Sequence, residues 1–218
     1  MQRDFVILLA WPEGMVSAAN SWYDIFFSNK DKKYRVGHSA IILINSSNNR
    51  SHYFDFGRYH TPLGYGRVRD EETDPNLVLQ DVKIKSDKII NLKSLLLQVA
   101  QIKSTYGEGR LYASIMSNVC FKKAYKYAKS IQNMGALKYG PFTINGTNCS
   151  RFTASVAIFS NPKPIKKLRF KYPFCISPSP KRNVSIANNI YYVVDGRNVE
   201  KIKKTKIKNY FSSIESWV

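Results

Sequence analysis

Cysteine is scarce in this chain: Cys120, Cys149 and Cys175 are the three in 218 residues. So small and odd a set makes no disulfide framework, so reduced thiols and a cytoplasmic location are expected. No apolar run approaches the roughly 18 residues of a membrane span. The opening stretch Phe5-Val6-Ile7-Leu8-Leu9-Ala10 is too short for most secretory segments. Trp11-Pro12-Glu13-Gly14 follows it and is no small-residue cleavage site, so the stretch predicts a buried strand. Histidine is equally rare, at His38, His52 and His60, and with the cysteines it matches no familiar zinc spacing. No metal and no cofactor are therefore expected. Internal repeats and known nucleic-acid motifs are absent too.

Acidic residues are few, 15 against 34 Lys and Arg, for a net charge of +19. That balance suits a solubilising surface, and it also permits contact with nucleic acid or an anionic surface. The charge is uneven. Lysine is dense over 165–171 and 201–208, while Asp70, Glu71, Glu72 and Asp74 form one acidic turn. Composition shifts after Pro162: residues 161–218 hold 13 Lys and Arg against three acids, with five prolines. Two units are expected, a domain over 1–160 and a basic, strand-containing extension over 161–218 that packs on it or continues it.

Periodicity predicts an α+β fold, an antiparallel sheet packed against helices. Strands are expected at 4–10, 35–45, 50–57, 77–84, 110–116 and 190–194, with Leu168-Phe170-Tyr172 alternating as a further one. Helices are expected at 17–27, 91–103, from a cap at Asn118 to Gln132, and from Cys149 to the residues before Asn161-Pro162. The turn Asn45-Ser46-Ser47-Asn48-Asn49 makes 35–57 a β-hairpin.

One constellation carries chemistry. A Gly-rich polar loop ends at Asn148-Cys149, where an apolar helical pattern begins. A thiol in the first turn of a helix meets unpaired N–H groups and the positive end of the helix dipole, which favour thiolate. His38 opens a strand far upstream, the second half of a nucleophile–base layout. A hairpin centred near Ser47 places His38 opposite residue 55 or 56, and Asp55 is the carboxylate there. A slip of one residue would turn Asp55 away and leave His52 or His60 as the third member. Cys120 reads as structural and Cys175 as incidental. Asn148 and Tyr139 are the candidate oxyanion donors beside the Cys149 N–H. Arg58, Arg67 and Arg69 are candidates for a substrate carboxylate or phosphate.

A strand-opening Gly37-His38 followed by aliphatics, with Asn148-Cys149 opening a later helix, resembles the circularly permuted NlpC-type papain-like superfamily, relatives of the lecithin–retinol acyltransferases. The stretch 52–60 resembles an uncharacterised bacterial family with that layout. The resemblance covers about residues 35–160. It implies a nucleophile at Cys149, a base at His38 and a third polar residue at Asp55, where the acyltransferases carry histidine. It further implies action on an amide, peptide or acyl-ester bond of a small-molecule, peptide or lipid-like substrate. The competing reading is a non-catalytic basic module that binds nucleic acid or another polyanion through 161–218, where Tyr172, Tyr191, Tyr192 and Tyr210 interleave with lysines.

Overall fold

A computed structural model describes residues 3–17, 30, 33–143, 145–172 and 177–205. The strands are β1 (Asp4–Trp11), β2 (Met15–Ser17), β3 (Lys33–Arg35), β4 (His38–Asn45), β5 (Arg50–Gly57), β6 (Tyr65–Arg69), β7 (Ile84–Lys85), β8 (Lys88–Ile89), β9 (Leu111–Val119), β10 (Leu137–Tyr139), β11 (Gly146–Thr147), β12 (Ile190–Asp195) and β13 (Asn198–Lys203). The helices are α1 (Leu92–Gln101), α2 (Phe121–Asn133), α3 (Cys149–Phe159), α4 (Pro164–Lys171) and α5 (Pro180–Ala187). Nine strands form one sheet in the order β11-β10-β6-β5-β4-β1-β9-β12-β13. It is antiparallel except for the short β10–β11 pair. The α+β expectation holds.

The unbroken apolar run of β1 makes this strand the centre of the sheet, because both its faces need cover. Val6, Leu8 and Ala10 enter one core with Phe121 and Ala124 of α2, Phe152 and Val156 of α3, Phe170 of α4 and Val184 and Ile186 of α5. Phe5, Ile7, Leu9 and Trp11 enter a second core with Leu92, Leu95, Leu96 and Val99 of α1. The period of two along the strand sorts the side chains between the layers. No helix among the described residues is long and apolar enough to cross a membrane.

The basic extension supplies two strands to this sheet. β12 pairs with β9, Tyr192 opposite Ala113, and β13 pairs with β12. Tyr191 packs into the first core, and Tyr192 is half-buried against the second.

Several local expectations fail for identifiable reasons. Residues 77–83 make no strand, and Ile84 only opens the two-residue β7. Pro75–Leu77 is a 3-10 turn, and the segment after it lies against α1. Its backbone bonds to side chains instead of a ladder: Gln80 N–H donates to Gln98 Oε1 at 2.9 Å and Lys83 N–H to Asn91 Oδ1 at 2.7 Å. Leu168-Phe170-Tyr172 lies in α4 and at its end, where Phe170 is buried and the other two face solvent. Asn118 does not cap α2. It sits at φ +58° inside β9, and Asp4 of β1 takes the Phe121 N–H at 3.0 Å. The expected helix at 17–27 lies outside the described residues apart from Ser17, which ends β2, as do Cys175 and Tyr210.

Because α5, β12 and the Phe170 side chain complete the first core and shield β9, a chain ending at residue 160 should not fold cooperatively. It would lose Val184, Ile186, Ala187 and Tyr191 from that core and expose a bare sheet edge. Thermal unfolding followed by circular dichroism checks this. A sharp transition in the truncated chain would show that residues 1–160 are self-sufficient.

Candidate active site

His38 is the first residue of β4, and the chain reaches it through Gly37 at φ +67°. A Cβ at Gly37 would lie 2.6 Å from the Trp11 carbonyl oxygen and 2.9 Å from Pro12 Cα, so only glycine makes this entry. Trp11 is paired with His38 across the ladder, and the two rings stack 5.7 Å apart. Cys149 is the first residue of α3. The Asn148 side chain caps this helix, accepting the Arg151 N–H at 2.9 Å. Arg151 in turn donates to the carbonyls of Thr143 at 3.1 Å and Pro141 at 3.4 Å, which ties down the loop that delivers the cysteine.

The hairpin register lies one or two residues beyond the expected pairing of His38 with 55 or 56. Ala40 pairs with Asp55, so continuing the ladder sets Gly57 opposite His38. Asp55 is two residues from that position and so shares the histidine's face, and its carboxylate reaches diagonally to His38 Nε2 at 3.1 Å. The space over Gly57 is filled by the Tyr59 ring, only 2.4 Å from where a Cβ would sit. With Nε2 engaged, Nδ1 is the ring nitrogen left for the thiol, and His38 and Cys149 are near enough to shift each other's protonation. Tyr139 reaches Cys149 Sγ with its hydroxyl at 4.0 Å, and Ser150 Oγ lies 3.9 Å from the sulfur.

Asp55 is fully buried and accepts from five donors on four groups. Arg69 donates through Nε at 3.0 Å and Nη2 at 2.6 Å. Tyr53 donates at 3.0 Å, Tyr59 at 3.2 Å and His38 at 3.1 Å. Arg69 lies opposite Asp55 on β6 and stacks under Tyr59, its Cζ 3.3 Å from the ring centroid. Tyr106 continues the stack on Tyr59 at 5.4 Å.

Burial works against every charge in this group, and pairing overrides it. Desolvation pulls His38 down, but its hydrogen bonds to Asp55 and Cys149 outweigh that and raise it from 6.5 to about 9. Desolvation pushes Cys149 up, and the hydrogen bond and charge of His38 bring it below its ordinary 9.0. Asp55 is likewise held below 3.8, despite burial, by His38 and Arg69. The pairing therefore favours thiolate beside imidazolium.

Behind the cysteine lies a second, uncharged network. Ser39 Oγ bonds Thr153 Oγ1 at 3.0 Å, and Asn183 Nδ2 donates to Thr153 Oγ1 at 3.0 Å and to the Ser150 carbonyl at 2.8 Å. These bonds fasten β4, the first turn of α3 and helix α5 together. Cavities flank the pair. One of about 230 Å³ is lined by Gly14, His38, Arg58, Tyr59 and Tyr106. The other, about 290 Å³, is lined by Val36, Pro141, Cys149 and Pro178–Pro180. Tyr139 lines both.

The structure thus gathers Cys149, His38, Asp55 and Tyr139, with Arg58 on a cavity wall, its guanidinium 5.5 Å from the Tyr139 ring centroid. Asn148 borders the cleft, yet its amide is engaged as a cap and as a donor to Ser177 Oγ at 2.8 Å. His52 and His60 do not join the cluster. His52 bonds Glu71 at 2.5 Å among Phe121 and Tyr125, and His60 faces solvent. Arg67 and Arg69 are both paired with carboxylates, Arg67 with Asp74 at 2.9 and 3.0 Å and Arg69 with Asp55. Sequence reading missed Arg69 as the support of Asp55, and also Tyr53, Tyr59, Thr153 and Asn183. The buried arginine had one signal, its place on the strand that follows Asp55.

A thiol at a helix start, an imidazole at a strand start and a buried carboxylate behind it, set on an antiparallel sheet with helices, define a class of α+β protein whose fold is compatible with a papain-like hydrolase. The chain belongs to the TseH-like type VI secretion system effectors, a family it matches over residues 6–164. Its fold is similar to the crystal structure of the type VI secretion system effector TseH, with TM-score 0.64 and 21% identity over 92% of this chain and 98% of that one. No curated protein matches it.

The charges of the site predict a pH dependence. His38 is raised, so its stabilising contribution is complete below 6.5 and lost as pH climbs through about 9. Asp55 is lowered, so its contribution is complete above 3.8 and lost as pH falls below it. Thermal stability should therefore fall as pH drops below about 4; above 6.5 the loss from His38 is opposed by Cys149, whose lowered thiol adds stability as pH rises toward 9.0. An NMR titration of the His38 ring should show a midpoint near 9, falling by at least a unit in Asp55→Asn. A midpoint near 6.5 in the unaltered protein would contradict the pairing.

Proposed function

We propose that the chain is a cysteine hydrolase or acyltransferase acting on an amide, peptide or acyl-ester bond, with Cys149 as nucleophile, His38 as base and Asp55 as the residue that orients the base. One observation carries the reading: a buried thiol at a helix start beside a histidine whose far nitrogen lies on a buried carboxylate. Histidine strand before cysteine helix is the chain order of the circularly permuted papain-like proteins, and it supports that kinship.

The steps follow from the geometry. The Cys149 thiolate attacks the substrate carbonyl carbon, and the carbonyl electrons move to oxygen. The Cys149 N–H, at the first helical position, donates to this oxyanion, and Tyr139 or Asn148 is the candidate second donor. The tetrahedral species collapses, breaking the bond to the leaving group, which takes the proton from His38. The product is a thioester on Cys149. His38, neutral again, then deprotonates water in a hydrolase, or a second nucleophile in an acyltransferase, to release the acyl group. Asp55 holds the ring's orientation and its positive charge throughout. The cavities on either side of the pair would receive the two halves of the substrate, with Arg58 on the imidazole side.

Two observations bear on location. Cys120 and Cys149 are free thiols, which supports a reducing compartment such as the cytoplasm. Membership in a secretion-effector family supports action in a target cell after delivery.

Iodoacetamide near neutral pH should alkylate Cys149 well ahead of Cys120, as peptide mapping would show. Cys149→Ala should abolish formation of an acyl-enzyme across a panel of peptides, amides and acyl esters. Asp55→Asn should lower kcat/KM by about a hundredfold, the scale of a general acid–base contribution. Labelling of Cys120 first, with no adduct on Cys149 from any substrate, would remove the enzyme reading.

A further inference from the structure

Helix α4 has the sequence Pro-Ile-Lys-Lys-Leu-Arg-Phe-Lys and contains no acid. Its inner side is firmly seated. Phe170 is buried in the first core, Lys166 Nζ donates to the Ala187 carbonyl, and the Arg169 carbonyl accepts from Arg182 at 3.3 Å. The outer side is apolar. Ile165, Leu168 and Tyr172 are 53%, 54% and 58% exposed. At spacings of three and four they share one face. Cations rim that stripe: Lys163 precedes the helix, Lys167 and Lys171 are exposed, and Arg169 is half-buried. Burial, with the charges of Lys163 and Arg169, holds Lys166 below its ordinary range, a sign of a concentrated positive field.

We infer that this face of α4 is an interfacial docking surface for a bilayer containing anionic phospholipid. The argument is charge complementarity joined to an apolar centre. A helix that lies in a membrane interface presents aliphatic and aromatic side chains to the acyl boundary and cations to the headgroups. Nucleic acid fits less well. Ile165 and Leu168 offer no stacking platform for bases, and Tyr191 and Tyr192 are packed in the two cores. Tyr172 at the end of the stripe is an amphipathic ring of the kind enriched at interfaces. Because Arg182 of α5 is bonded to α4 and Pro180 lines the cavity beside Cys149, the docked helix would be braced against the wall of the cleft. This surface stands independently of the proposed chemistry.

The experiment is flotation of the full chain with vesicles of phosphatidylcholine alone or mixed with phosphatidylglycerol. The protein should float with the anionic vesicles and stay behind with the neutral ones. Each cation near an anionic surface is worth about fivefold in affinity, so Lys163→Gln, Lys167→Gln and Lys171→Gln together should weaken binding about a hundredfold. Ile165→Ser with Leu168→Ser should weaken it at least tenfold, although net charge is unchanged. Lys85→Gln, Lys88→Gln and Lys93→Gln, equal in charge but remote in sequence and exposed, should leave it within about threefold. All substituted positions face solvent, and circular dichroism checks that each variant folds. Failure to float, equal loss in the remote variant, or full binding by the Ile165/Leu168 variant would overturn the proposal. So would a lysine-dependent retention on an oligonucleotide column with no vesicle binding, which would assign the face to nucleic acid.

Discussion

The structure turns on one buried carboxylate. Asp55 is inaccessible to solvent, and a lone charge there would cost several kcal/mol. It is held because β4, β5, the loop after β5 and β6 each send a donor to it: His38, Tyr53, Tyr59 and Arg69. The same requirement therefore fixes the relative placement of all four. Arg69 is fixed twice, by the bidentate pair and by the Tyr59 face above it. Tyr59 occupies the room that Gly57 leaves open. The charges of Asp55, Arg69, His38 and a Cys149 thiolate sum to zero, and it is this closure that lets four ionisable groups share a dry site.

The thiol is held by different means. Its helix is docked through hydroxyls and an amide, Ser39, Thr153 and Asn183, with no charge among them. Neutral bonds of this kind contribute about 1 kcal/mol each, but leaving one partner unmet in a dry interior costs more. They therefore specify where the helix start sits more than they stabilise the fold. Asn183 belongs to α5, so the basic C-terminal segment reaches the cysteine from behind through α5 and lines its cleft in front through Pro178–Pro180.

Much of this was legible in the sequence because it rests on local signals. The run Phe5–Ala10 had to be a covered strand. Asn148-Cys149 had the form of a helix start, and the Asn45–Asn49 turn fixed a hairpin that brought Asp55 to the face of His38 even with the register one or two residues out. What escaped was non-local. Nothing in the pattern of 77–84 announces that its backbone will bond to Gln98 and Asn91 side chains in place of a strand. Arg69 read as a candidate substrate ligand until its cross-strand partner was known. Leu168-Phe170-Tyr172 alternates in sequence, yet Pro164 at the first turn and the seating of Phe170 in the core settle it as helix. Asp4 as the N-terminal partner of a helix 117 residues away is invisible to any local rule.

The distribution of charge separates two tasks. The site's charges are paired within a few ångströms and shielded by protein, so added salt should scarcely touch them. The excess behind the +19 lies outside that cluster and includes the exposed rim of α4, where a Debye length of about 8 Å governs its reach. A protein built this way can change its attraction to an anionic surface without altering the protonation of its thiol and imidazole. The reverse also holds: a change in the buried ion pair need not disturb the surface field. The composition alone, read as one number, hides that division. It emerges only when the cations tied to polar partners, such as Arg67, Arg69 and Arg151, are set apart from those left on the surface.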